Sequence, residues 1–212
     1  MNNVRDNLTS TETFISITSG GLGEEIVMRG CDLDVMELYK NIEISEDTKI
    51  HFKPFKAYLK IKTEDIPPGF TELRLVHSYF CNVNEVCVEV DDEYYFSNKR
   101  LKDLCNKNNL EIEHGPCLSD KNGILDLALC LRSKSWIPQA NQWIIRSNNL
   151  WPGYNVKETI IKHGVLFVPC SYVVERHPKS SVNLENEIHM VLSIENSKMK
   201  NFYAHYLSKM GK

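Results

Sequence analysis

Two aspartates set one residue apart in a short aliphatic segment constrain this chain more than any other feature. The segment reads CDLDVM, Cys31–Met36, and its aliphatic residues predict a β-strand. Because side chains alternate between the two faces of a strand, Asp32 and Asp34 should share one face. At ~4 Å and an effective dielectric near 20, two carboxylates repel each other by about 4 kcal/mol. A divalent cation such as Mg²⁺ would remove that repulsion.

A third acid and a glycine pair extend this pattern. Asp126 lies in a second strand-like run, GILDLALCL, and ten residues separate the pair Gly20-Gly21 from Asp32. Glycine allows backbone N–H groups to approach a phosphate closely. The combined pattern predicts a metal site beside a phosphate-binding turn. For each acid considered alone, a structural aspartate is the alternative interpretation.

Hydrophobic periodicity predicts an α+β fold, a mixed twisted sheet flanked by helices. The predicted strands are Phe14 to Ile17, Cys31 to Met36, a hairpin from Phe55 through FTELRLV, VCVEV closed by the acidic turn DDE, GILDLALCL, and VLFVPCSYVV. The predicted helices run from an N-cap at Ser97 to Asn106, from Pro138 to Asn149, and from Val156 to His163 before Gly164.

The last segment predicts an amphipathic helix. Its apolar stripe consists of Met199, Phe202, Tyr203, Tyr206, Leu207 and Met210. Such a stripe needs to be covered by the sheet, by a partner, or by a lobe that this chain lacks. We expect one unit over residues 1–193, followed by the amphipathic helix over residues 194–212.

Composition and charge restrict the class of protein. The net charge is −3, which gives no general attraction to nucleic acid or to anionic membranes. The polar N-terminus has no signal-peptide core, and no apolar run approaches the ~20 residues that span a bilayer. We therefore expect a cytoplasmic or nuclear protein without a membrane partner. The seven cysteines form no CxxC pair and no cluster with histidine, which predicts free thiols and no structural zinc.

Basic residues occur in two places that have two interpretations. Lys53, Lys56, Lys60 and Lys62 form a local basic patch, and Arg132 and Lys134 follow the third acid directly. Both groups are typical of a solvated strand face. The alternative for Arg132 and Lys134 is contact with nucleotide phosphates or with RNA.

Taken together, these residues resemble a known family. The pattern G-[GS]-x10-D-x-D resembles the signature of polymerase-β-like nucleotidyltransferases, and TSGGLGEEIVMRGCDLDVM is similar to the Mab-twenty-one-like branch that contains cyclic GMP-AMP synthase and related receptors. Three later segments are also similar to that branch. Its central hairpin resembles PPGFTELRLV, and its third-acid strand resembles HGPCLSDKNGILDLALCLRSKSWIP. The helix and strand that follow resemble VKETIIKHGVLFVPCSY. The resemblance runs from about Thr13 to Ser193.

The resemblance implies a polymerase-β-like core and a metal-dependent nucleotidyl transfer. It also implies a C-terminal helical lobe, largely missing here, of which residues 194–212 would be the start. It assigns Asp32, Asp34 and Asp126 as catalytic residues that bind Mg²⁺ or Mn²⁺, with Asp126 helping to deprotonate the attacking hydroxyl. Ser19, Gly20 and Gly21 would hold the phosphates of ATP and GTP. The implied product is a cyclic dinucleotide second messenger of innate immunity, and the implied activator is a double-stranded nucleic acid.

Four positions depart from the family pattern. Gly21 and Val191 stand where serine is usual, Glu25 where glycine is usual, and His189 where arginine is usual. Ser19, just upstream of the glycine pair, would supply a hydroxyl but would point the other way. Two alternatives follow: a catalytically inactive binding or scaffold protein, or an incomplete chain of an active parent.

Overall fold

A computed structural model describes most of the first 169 residues and one later strand. The described residues are 2–23, 32–45, 51–64, 66, 70–79, 83–105, 110–114, 116–138, 141, 144, 154–169 and 189–192. Most of the helix predicted over Pro138–Asn149 lies outside these residues, as do Glu25, Cys31 and the predicted C-terminal helix over 194–212.

The described elements are five helices and eleven strands. The helices are α1 (Asn2–Thr9), α2 (Gly20–Gly23), α3 (Val83–Val86), α4 (Asn98–Cys105) and α5 (Tyr154–His163). The strands are β1 (Phe14–Ser19), β2 (Leu33–Ser45), β3 (Ala57–Lys62), β4 (Phe70–Ser78), β5 (Cys87–Val90), β6 (Glu93–Phe96), β7 (Leu110–His114), β8 (Cys117–Asp120), β9 (Leu125–Ser133), β10 (Val165–Pro169) and β11 (His189–Leu192).

The strands form one mixed sheet. Its order is β1-β2-β3-β4-β11-β10-β9-β8-β7, with β6 joined to β4 and β5 to β6. The strand β2 also pairs with β9, so the sheet curls back on itself. The pairs β2–β3 and β2–β9 are parallel and the other pairs are antiparallel. The predicted α+β class with a mixed sheet is confirmed.

The hydrophobic core follows the central strands. Residues that are almost completely buried include Met36 and Leu38 of β2, Leu59 of β3, Leu129, Cys130 and Leu131 of β9, and Phe167 of β10. Burying each large aliphatic or aromatic side chain stabilises the fold by about 1.5–3 kcal/mol. Cys87 and Cys130 are buried free thiols, as predicted, and burial raises the pKa of Cys87 to about 12.

The predicted hairpin from Phe55 onward is confirmed as β3 and β4. A second hairpin joins β5 to β6 through Asp91 and Asp92, which both adopt positive φ. Positive φ at both central residues gives the backbone a twist that matches the flanking strands. The sequence predicted β5 and its acidic turn but not β6.

Helix ends follow their predicted signals. The Ser97 hydroxyl accepts a hydrogen bond from the Arg100 amide at 3.2 Å, which is the geometry of an N-cap. The helix α5 stops before Gly164, whose φ of +86° is the left-handed conformation common at a helix C-terminus.

The N-terminal helix α1 is held by one buried carboxylate and was not predicted. Asp6 Oδ1 accepts hydrogen bonds from the Thr18 amide at 2.9 Å and from the Thr18 hydroxyl at 2.6 Å. These bonds fix α1 against β1, the strand that leads to the glycine pair.

Candidate metal centre

Asp34 and Asp126 are brought together by the parallel pairing of β2 with β9. The register aligns Leu33 with Leu125 and Asp34 with Asp126. Residues that are opposite each other in neighbouring strands point to the same face of a sheet. The two carboxylates, 92 positions apart in the sequence, therefore become neighbours.

Asp32 joins them from the segment that enters β2. The Leu33 amide donates a hydrogen bond of 2.7 Å to the Ile124 carbonyl, which fixes the chain at this point. One carboxylate oxygen from each of Asp32, Asp34 and Asp126 lies within 4.8 Å of the other two. Asp32 is exposed, and the other two are partly buried. The three predicted aspartates thus form one cluster.

The chemistry of this donor set fits a hard divalent cation. Three carboxylates at this spacing repel one another strongly, and their oxygens are the ligands that Mg²⁺ and Mn²⁺ prefer. The open side at Asp32 leaves room for further oxygen ligands from a substrate or from water. The cluster could therefore hold a metal ion.

Ser119 orients Asp126 and was not predicted as a site residue. It lies opposite Asp126 in the pairing of β8 with β9, is buried, and donates a hydrogen bond of 2.6 Å from Oγ to Asp126 Oδ1. A carboxylate held in this way presents its other oxygen in a fixed direction. The signal in the sequence is the hairpin CLSDKNGILD, whose turn places Ser119 across from the third acid.

The turn of that hairpin is fixed by Asp120. Its Oδ1 accepts hydrogen bonds from the amides of Ile124 at 2.6 Å and Leu125 at 2.8 Å. These backbone hydrogen bonds hold the pKa of Asp120 below its ordinary value, against a smaller opposing effect of burial. The turn sets the register that aligns Ser119 with Asp126.

The glycine pair contacts the cluster through Gly20. This residue has a φ of +61°, and a β-carbon added to it would lie 1.7 Å from Asp34 Oδ2. Only glycine satisfies both conditions. The next residue, Gly21, lies in the single turn α2.

Ser19 lies directly opposite Asp34 in the pairing of β1 with β2. Cross-strand partners share a face of the sheet, so Ser19 is on the aspartate side. The expectation that its side chain points the other way is therefore wrong. The strand β1 runs as far as Ser19, and its last four residues, Ser16 to Ser19, are all buried.

Two other positions singled out in the sequence are His189 and Glu25. His189 begins β11 and pairs with Glu72 of β4. Glu25 lies outside the described residues.

Compared with models of known protein families, the chain matches none. Among the described residues, no helix is both long enough and apolar enough to cross a membrane.

Proposed function

We propose that this protein is a metal-dependent nucleotidyltransferase with a polymerase-β-like core. The observation that carries the proposal is the convergence of Asp32, Asp34 and Asp126, whose oxygens lie within 4.8 Å of one another. They come from two distant stretches of sequence, and the first two follow a glycine pair whose first member, Gly20, packs on Asp34.

The three aspartates would hold Mg²⁺ or Mn²⁺. When bound, such ions neutralise the phosphates of a nucleoside triphosphate, activate a hydroxyl and stabilise the leaving pyrophosphate. Asp32 and Asp34 would supply most of the ligand oxygens, and Asp126 would complete the set.

The remaining roles belong to the chain's own groups. Ser119 holds Asp126 through one oxygen, and the other oxygen of Asp126 would accept the proton of the attacking hydroxyl. Ser19, Gly20 and Gly21 would seat the phosphates beside Asp34. The proposal includes ATP and GTP as substrates and a cyclic dinucleotide as product; these rest on the family pattern in the sequence.

The test is turnover of labelled ATP and GTP in the presence of Mn²⁺. We expect a dinucleotide product in the parent protein and none in the double variant Asp32→Ala with Asp34→Ala. Asp103→Ala, an exposed acid on α4, is the matched control and should retain activity. Product formation that survives in the double variant would contradict the proposal.

Thermal unfolding with Mg-ATP gives an independent readout of substrate binding. At 100 times Kd, a ligand that binds only the folded state stabilises it by ~2.7 kcal/mol. A stabilisation that disappears in the double variant supports nucleotide binding at the aspartates. Metal binding without any nucleotide effect would instead favour the alternative of an inactive binding or scaffold protein.

A further inference from the structure

An irregularity in the pairing of β2 with β9 opens a cavity away from the aspartates. Leu38 is opposite Cys130 and Glu43 is opposite Arg132, so four residues of β2 face a single residue of β9. Such a bulge bends one strand away from its neighbour. A cavity of about 220 Å³ lies at this point, lined by both strands and by Lys56. It is therefore built by the sheet itself.

The lining of this cavity is strongly basic. It contains Lys40, Lys56, Arg132 and Lys134, with Glu43 as its one carboxylate, which leaves a net charge of +3. Lys40 is on β2 and Arg132 is on β9, while Lys56 directly precedes β3 and Lys134 directly follows β9. Within the described part of the chain, no carboxylate forms an ion pair with Arg132.

Glu43 arranges two of these cations. Its Oε2 is 2.7 Å from Lys56 Nζ and its Oε1 is 3.0 Å from Lys134 Nζ. Each ammonium has three N–H donors, and the carboxylate occupies one donor of each. One acid thus fixes the positions of two ammoniums while most of their donors stay open to a ligand.

Size and position separate this cavity from the metal centre. At about 220 Å³ it is smaller than the ~300–1,000 Å³ of typical pockets for drug-sized ligands, so a nucleoside triphosphate would not fit inside. Arg132 is six residues beyond Asp126 on β9, which corresponds to roughly 20 Å along the strand.

We propose that this cavity binds a small phosphate-bearing anion. A phosphate group carries about 1.5–2 negative charges at pH 7 and three acceptor oxygens, which matches a fixed pair of ammoniums and a guanidinium better than a single carboxylate does. The planar fork of Arg132 binds two oxygens at once, and Lys56 and Lys134 contact the third. For Arg132 and Lys134, this proposal competes with the solvated strand face that the sequence alone predicts.

Titration calorimetry with inorganic phosphate tests the proposal. The titration is run in EDTA at constant ionic strength, so that the aspartate cluster and its metal contribute nothing. We expect saturable binding in the parent protein, weakened at least tenfold by Arg132→Gln and by Lys134→Gln. Arg5→Gln removes an exposed cation from α1, outside the cavity, and should bind phosphate like the parent.

The variant Lys134→Gln keeps the test valid if Arg132→Gln fails to fold. The Lys134 side chain is 50% exposed, so this variant should keep the parent's circular dichroism spectrum even if Arg132→Gln does not. The proposal is overturned if phosphate binding is not saturable, or if Arg5→Gln weakens it as much as Lys134→Gln does. It is also overturned if a short RNA duplex binds in a Lys134-dependent manner while phosphate does not. Because metal is absent throughout, failure here leaves the proposed nucleotidyl transfer untouched.

Discussion

Gly20 and Asp34 are in such close contact that no side chain fits between them. A β-carbon at position 20 would lie 1.7 Å from Asp34 Oδ2, and the backbone of Gly20 is already in the left-handed region at φ +61°. The contact ties the glycine turn to a metal ligand.

Gly20→Ala should therefore cost more than backbone strain alone. Gly123 has a similar φ of +63° but open space around it, so Gly123→Ala isolates the strain, which is about 1–2 kcal/mol. We expect urea denaturation to show a larger loss of unfolding free energy for Gly20→Ala, together with weaker Mn²⁺ binding. Equal losses in the two variants, with unchanged Mn²⁺ affinity, would show that the contact with Asp34 does not matter.

Ser119→Ala should weaken metal binding without removing a ligand. The variant loses the 2.6 Å hydrogen bond that orients Asp126, and the loss of such an outer partner typically lowers metal affinity 10–100-fold. Ser133→Ala is the matched control, because Ser133 is another buried serine of the sheet and bonds the Ser135 carbonyl instead. Mn²⁺ titration calorimetry should give at least a tenfold change for Ser119→Ala only; a parallel change in both variants would indicate general loosening of the sheet.

Asp6→Ala should destabilise the protein by about 3 kcal/mol, because two hydrogen bonds from Thr18 lose their charged acceptor. Thr18→Val removes only the hydroxyl donor and should cost less. Chemical denaturation of both variants measures the difference. If Asp6→Ala is no less stable than Thr18→Val, α1 is not held by this carboxylate.

Two glutamates of β2, Glu37 and Glu43, should have opposite effects on the free energy of unfolding at neutral pH. Burial raises the pKa of Glu37. Burial also opposes ionisation of Glu43, but hydrogen bonds and charges from Lys56 and Lys134 outweigh it and lower its pKa. Glu43 therefore stabilises the fold above the unfolded pKa of about 4.3, and this contribution is lost as the pH falls through its lower folded value.

At pH 7 we expect Glu43→Gln to reduce the free energy of unfolding and Glu37→Gln to increase it. The penalty from Glu37 exists above its raised folded pKa and fades as the pH falls towards about 4.3. For each variant, the difference in free energy of unfolding from the parent should thus shrink in acid. Denaturation of the three proteins between pH 3 and pH 7 measures this, and shifts of the same sign at pH 7 would contradict the assignment.

Local patterns predicted the elements that carry regular periodicity. The alternation in β3, the N-cap at Ser97 and Gly164 after α5 are local signals, and the structure follows them. The strand β2 continues to Ser45, well beyond the predicted end at Met36. Its two halves find different partners, β1 and then β3, and such pairing has no local signal.

The candidate site was predictable only in part for the same reason. The three aspartates follow from their spacing and alternation, but Ser119 depends on the register of β8, a strand of four residues that hydrophobic periodicity does not reveal. The helix α1 was missed because its stability comes from the buried Asp6 carboxylate, while its apolar Leu8 is 80% exposed. The basic cavity depends on a bulge, which no pattern within a single strand predicts.

The most direct test of the central claim is anomalous diffraction from a crystal of the protein soaked with Mn²⁺ and a non-hydrolysable nucleoside triphosphate. We predict an Mn²⁺ peak coordinated by oxygens of Asp32, Asp34 and Asp126, with the triphosphate beside Gly20. A well-diffracting soaked crystal with no manganese at these carboxylates would contradict the account.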